Sequence, residues 1–190
     1  WTAIRTTATT ITGLSAFYAF STLPLAQAYA ILFATPLFIT VLSIPVLGEK
    51  VGIRRWTAVA IGLIGVLVVV RPGLSPLQLG HLAALTAAIG ASTAAVVVRK
   101  IGQQERAMVL MLFPMLANVA VMGALLPLSY RPMPGSHLAA LALLAALAFS
   151  ASLLMIAAYR RGEAASVAPM QYSQILWATL YGALFFDEGL

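Results

Sequence analysis

The chain has 190 residues, of which 62% are hydrophobic and only 8% charged, with a formal net charge of +6 at pH 7. A soluble domain carries about 25% charged and about 45–50% apolar residues, so there is too little polar surface here to cover a water-facing globule. The absence of cysteine excludes disulfide staples, thiolate nucleophiles and cysteine-ligated metals. Seven stretches reach the roughly 20 apolar residues needed to cross a bilayer: 2–20, 25–47, 54–71, 79–98, 107–128, 137–158 and 164–186. Period-two alternation, the mark of a membrane barrel, is missing. The expected fold class is all-α, a polytopic transmembrane helix bundle.

In the first span Thr2, Thr6, Thr9 and Gly13 form one stripe, which reads as close helix packing through small residues. Tyr18 near its outer end is a candidate substrate contact. Arg5 near its inner end reads as an arginine that snorkels to the headgroups, with an anion-greeting role as the alternative. The second span puts Gln27, Ile31, Ala34 and Phe38 on one face, and Gln27 is a candidate substrate residue. Pro36 is expected to kink this helix and free a carbonyl that a cavity or a neighbouring hydroxyl can satisfy. Small residues recur in the third span (Ala58, Gly62, Gly65) and the fourth (Gly80, Ala84, Ala87, Ala91), where they allow tight approach. The fifth span carries Met108, Met111, Met115, Asn118 and Met122 at alternating steps of three and four. The methionines read as core or lipid contacts, whereas the Asn118 amide must find a polar partner at that depth. The seventh span is the richest: Gln171, Gln174, Ala178 and Tyr181 share one helical face, with Tyr172, Ser173 and Trp177 beside it. Amides donate and accept, so this stripe suits a polar, partly aromatic solute; interhelical hydrogen bonding is the competing account. His81 and His137 fall in outward loops without a second ligand at metal spacing, so no metal and no cofactor are expected.

Lysine and arginine set the topology. Lys50, Arg54 and Arg55, then Arg99, Lys100 and Arg106, then Arg160 and Arg161, occupy alternate loops, and Arg5 joins them. The opposite side holds only Arg71 and Arg131. By the positive-inside rule the basic side is cytoplasmic, so Trp1 starts inside and Leu190 ends outside. The isoelectric point near 10.2 therefore reports topology, and nucleic acid is not an expected partner.

At a constant offset of 139, residues 19–49 match 158–188 without gaps: Ala19 with Ala158, Ala26 with Ala165, Leu37 with Leu176, Thr40 with Thr179, Glu49 with Glu188. Five spans separate the copies, and an odd number of crossings turns the second upside down. Inverted repeats are a construction rule of secondary transporters, which hold cargo near the bilayer midplane between the halves.

Leu23-Pro24-Leu25-Ala26-Gln27-Ala28, Thr35-Pro36-Leu37, Leu47-Gly48-Glu49-Lys50, Gly62 with Gly65-Val66, and Arg71-Pro72-Gly73 together resemble the EamA-type drug/metabolite transporters. The stretch from Glu163-Ala164-Ala165 to Asp187-Glu188 is similar to the counterpart in that family's second half. The resemblance implies ten helices in two inverted five-helix repeats, of which the seven spans correspond to helices three through nine. Residues 1–73 are then the end of the first repeat, with three spans, and 74–190 the second repeat without its last span. It also implies a multi-pass protein of the bacterial inner membrane that moves small metabolites. Because the chain begins without methionine directly before an apolar span, further residues are expected upstream.

Enzyme chemistry has little to work with. There is no Gly-x-Ser-x-Gly turn, no His-Glu-x-x-His motif, and Asp187 is the sole aspartate. The expected function is a secondary transporter for small uncharged or zwitterionic metabolites, such as amino acids, nucleosides, vitamins or drug-like solutes, working by alternating access. A non-transporting seven-helix receptor or structural subunit is the alternative, and the short loops leave little surface for signalling. The expected partners are a small-molecule substrate and the lipid bilayer, and the sequence allows a homodimer.

Overall fold

The computed structural model describes residues 1–70, 78–129 and 134–173, and every regular element among them is helical. In chain order these are α1 (Thr2–Thr22), α2 (Leu25–Leu32), α3 (Thr35–Leu47), α4 (Ile53–Val70), α5 (Leu79–Ile101), α6 (Ala107–Ser129), α7 (Gly135–Arg161) and α8 (Ala164–Val167). A 3₁₀ turn, Ala168–Tyr172, follows α8. Among the described residues, four segments are long and apolar enough to cross a membrane: Gln27–Leu47, Leu79–Ile101, Ala107–Pro127 and His137–Arg161.

Helix α5 is the axis of the bundle, and α1 runs antiparallel along it. At one end Lys100 Nζ lies 4.4 Å from the centre of the Trp1 ring. Midway, Thr12 Oγ1 donates to the Ala87 carbonyl at 3.3 Å. At the other end Leu23 packs over Gly80. Small side chains permit this contact: Ala84, Ala87 and Ala88 are fully buried, and a Cβ on Gly90 would come within 2.9 Å of the Ala8 carbonyl oxygen. The 21 residues of α1 rise about 31 Å, enough to cross beside α5 although its threonines make it less apolar.

The second span is two helices. Its break falls at Phe33-Ala34, and Pro36 sits in the first turn of α3. Proline has no N–H for the carbonyl four residues back, which belongs to Leu32. The Thr35 hydroxyl takes that carbonyl at 2.7 Å, so the expected neighbouring hydroxyl is the adjacent side chain. Thr35→Val should therefore lower stability by about 1 kcal/mol, read as a lower thermal midpoint in detergent. An unchanged midpoint would mean that another donor supplies the bond.

The seventh span departs from the single helix expected over 164–186. Its described part is the one-turn α8 followed by the 3₁₀ turn. Pro169 is the reason, because it leaves the Ala165 carbonyl without its helical donor and its ring crowds the preceding turn. The helical register therefore changes just before Gln171.

Turns that match at the offset of 139 share their backbone conformation. Leu23 and Pro24 have φ/ψ of −111/153° and −55/139°, and Gly162 and Glu163 have −102/157° and −61/136°. Leu23 N–H donates to Ala19 O at 2.9 Å, as Gly162 N–H does to Ala158 O at 2.8 Å. The first turn lies at the Gly80 end of α5 and the second at the Gly102 end, where Arg160 packs. The two turns are alike and point to opposite ends of the bundle.

The basic loops gather at the second end. Arg99 Nη1 and Gln103 Nε2 donate to the Arg160 carbonyl at 3.2 and 2.7 Å, Arg160 Nε donates to the Gly102 carbonyl, and Lys100 Nζ reaches the Val46 carbonyl at 2.8 Å. Cations at the C-terminal ends of α3, α5 and α7 satisfy carbonyls that have no helical donor. Glu49 completes this end. Gly48, at φ 71°, ends α3 in the left-handed conformation that glycine adopts without strain. Beyond it the Glu49 carboxylate accepts from the Ala164 and Ala165 amides at 2.9 and 3.1 Å, with Arg99 Nε 3.9 Å away.

Candidate functional site

Two adjoining cavities open between the helices on the basic half of the bundle. The larger, about 390 Å³, is walled by Arg5 and Thr9 of α1, Thr35 and Ile39 of α3, Ala91 to Val98 of α5, Ser152 to Tyr159 of α7, and Gln171. The smaller, about 250 Å³, lies against α6, with Met111, Met115 and Asn118 in its wall. Arg5, Thr9, Ser152 and Ile156 belong to both, so the cavities meet there. A size of some hundreds of cubic ångströms, apolar walls and a few convergent polar groups are what small-molecule sites require.

Gln171 is placed in the wall of the larger cavity, where its Nε2 donates to the Tyr159 hydroxyl at 2.6 Å. Tyr159 is 2% exposed and packs in a core that includes Ile39, Val96, Leu110 and Ile156. Its hydroxyl accepts from Gln171 and retains its own proton for a second partner. Asn118 lines the smaller cavity, and its Nδ2 donates to the Pro114 carbonyl at 2.9 Å. Two methionines of the stripe, Met111 and Met115, share that cavity, whereas Met108 is exposed.

Other candidates lie elsewhere. Gln27 lines neither cavity; its Oε1 is 3.3 Å from His81 Nε2. His81 is buried in the first turn of α5, not in a loop, and its Nδ1 accepts from the Gln78 amide at 3.1 Å. That bond requires an unprotonated Nδ1, so Nε2 carries the hydrogen and donates to Gln27. Tyr18 is half exposed at the outer end of α1, and its carbonyl accepts from the Ser21 and Thr22 hydroxyls. Tyr172 has its backbone in the 3₁₀ turn. Gln174, Trp177 and Tyr181 lie outside the described residues.

The cavity also contains groups that sequence patterning assigned elsewhere. Arg5 lines both cavities, and its Nε and Nη1 are shielded and without a hydrogen-bond partner. Thr9, read as a packing residue, faces the cavity. Tyr159 and Ser152 carried no functional reading, although Tyr159 pairs with Phe20 in the repeat. The available signal was a charge inside a span, which in a membrane marks a functional site by default.

Residues 3–71 and 78–190 match the EamA-like transporter family. The chain belongs to that family. Among curated relatives, it is 26% identical over 174 residues to the S-adenosylmethionine uptake transporter of Rickettsia prowazekii, covering 90% of this chain and 58% of that protein. It is 28% identical over 165 residues to the riboflavin transporter of Vibrio cholerae, covering 86% and 55% respectively. The chain thus spans somewhat more than half the length of these relatives. No solved structure matches it. Family membership and the apolar helices together make this EamA protein a multi-pass membrane protein, and its relatives are named as transporters, not enzymes.

Proposed function

We propose that this EamA protein is a secondary transporter of the bacterial inner membrane for small uncharged or zwitterionic metabolites, working by alternating access between two inverted halves. The halves are residues 1–73 and 74–190. One observation carries the reading: the larger cavity takes its walls from α1 and α3 of the first half and from α5, α7 and Gln171 of the second. A solute held there touches both halves, so rocking of one against the other exposes it to either face. The transporter names of bacterial relatives support the same reading.

The test is flux in proteoliposomes carrying the full-length protein, with S-adenosylmethionine, riboflavin and neutral amino acids as labelled cargo. Gln171→Ala and Tyr159→Phe each remove one partner of the polar pair in the cavity wall. Each is expected to reduce flux of the carried solute by about tenfold, the effect of one lost buried hydrogen bond. Wild-type rates in both variants would remove the cavity as the cargo site.

A further inference from the structure

We infer that Glu49 is a detachable latch: its carboxylate closes the larger cavity towards the basic end, and it must leave the start of α8 for cargo to pass that way. The inference deepens the alternating-access reading and rests on it. Helix α3 and the segment from α8 to Gln171 both wall the cavity, through Thr35 and Ile39 on one side and Gln171 on the other. Glu49 joins these two walls at the basic end, Oε1 accepting from the Ala164 amide at 2.9 Å and Oε2 from the Ala165 amide at 3.1 Å. The start of α8 has a place for such a group. Ser166 and Val167 N–H close on the Glu163 carbonyl at 3.0 Å each, so the two amides before them have no acceptor in their own helix.

The socket belongs to one half and the plug to the other. Ala164, Ala165 and Arg99, whose Nε lies 3.9 Å from Glu49 Oε1, are all in residues 74–190, whereas Glu49 follows α3 in residues 1–73. The basic end is cytoplasmic by the positive-inside rule. When one half rocks on the other so that the cavity faces the cytoplasm, contacts between its two walls at that end have to part. The position of Glu49 makes the break feasible. Its side chain is 12% exposed and lies at the end of the bundle, beyond the last turn of α3. Water can therefore take over the carboxylate and both amides as they separate, and no bare charge is stranded in hydrocarbon. The Lys100 bond to the Val46 carbonyl crosses the same boundary, but its ammonium is exposed and exchanges readily for water. A carboxylate gripped by two amides holds this end more firmly.

Sided access to the cavity tests this in the full-length protein. Residues 1–190 contain no cysteine, so Ser152→Cys in the cavity wall is the reporter, with any cysteine outside them replaced by serine. A small membrane-impermeant methanethiosulfonate is added to everted vesicles, to reach the cytoplasmic face, or to intact cells, to reach the other. Glu49→Gln should speed modification from the cytoplasmic face at least about tenfold, the effect of losing one hydrogen bond to a charged acceptor, and should not speed it from outside. Glu49→Asp, one methylene shorter, should fall between. Ala164→Pro keeps the carboxylate but removes a donor, and proline suits the first helical position after an extended residue such as Glu163, at ψ 136°. It should act like Glu49→Gln, and it carries the same reading if that variant does not fold. Unchanged cytoplasmic rates, or an equal rise from both faces, overturn the latch, since a merely structural bond would lower the thermal midpoint without changing sidedness. Modification of the reporter alone from the cytoplasmic face as fast as that of a free thiol overturns it with no latch variant needed. A sided shift without flux of any cargo keeps the latch and removes the carrier. Flux that Gln171→Ala and Tyr159→Phe reduce, with sidedness unmoved by the latch variants, does the reverse.

Discussion

Glu49→Ala should lower stability by about 3–5 kcal/mol, seen as a lower thermal midpoint of the detergent-solubilised full-length protein. Two backbone amides, Ala164 and Ala165, donate to the carboxylate, and hydrogen bonds to a charged group contribute about 1.5–3 kcal/mol each. The Arg99 guanidinium at 3.9 Å adds little, because that pair is long and partly solvated. Glu49→Gln keeps one acceptor oxygen but turns an NH₂ towards an N–H donor, so about half of the loss should remain. A midpoint equal to wild type in both variants would show that the link between the end of α3 and the start of α8 carries no stability. The consequence is also architectural, since this carboxylate joins segments 115 residues apart at the basic end.

Gly90→Leu should be a strongly damaging change. A Cβ at this position would meet the Ala8 carbonyl oxygen at 2.9 Å and press on the Thr12 hydroxyl. The obstacle includes backbone, which cannot swing aside as a side chain end can. Gly90→Ala should cost about 1–3 kcal/mol, and leucine more, by forcing α1 off α5 along the whole antiparallel contact. Gly123→Ala in α6 is the control, because nothing lies within 4 Å of its added Cβ and alanine favours the helix. Size-exclusion profiles and thermal midpoints of the three variants measure the contrast. A folded, wild-type-like Gly90→Leu protein would mean that α1 does not pack on α5 this closely.

Much of the fold was legible along the chain. Runs of about 20 apolar residues mark spans because a backbone in hydrocarbon must satisfy its own hydrogen bonds. The interruption at Pro36 was legible for a local reason, a missing N–H, and the hydroxyl that answers it is the next residue back. Basic residues marked one end of the bundle, where Lys100, Arg99 and Arg160 now hold helix-terminal carbonyls. Pro169 carried the same local warning as Pro36, yet the apolar run on either side of it read as one helix.

The site was less legible. Gln171 and Asn118 stood out as amides in apolar surroundings, and both are in cavity walls. Gln27 stood out for the same reason and is instead engaged by His81, which is 54 residues away. Nothing in the neighbourhood of either residue announces that pairing.

Composition and charge order by themselves determined that this is a helical membrane protein, how many times it is expected to cross, and which end is basic. Those properties depend on the solvent and on short-range hydrogen bonding, both of which each segment meets alone. Tertiary structure decided which faces look inward: Arg5 into the walls of both cavities, Tyr159 onto Gln171, Glu49 onto the start of α8. The physical reason lies in the lipid. Acyl chains are as apolar as leucine, so a helix can be greasy on every side, and its periodicity does not distinguish the face that meets another helix from the face that meets the bilayer.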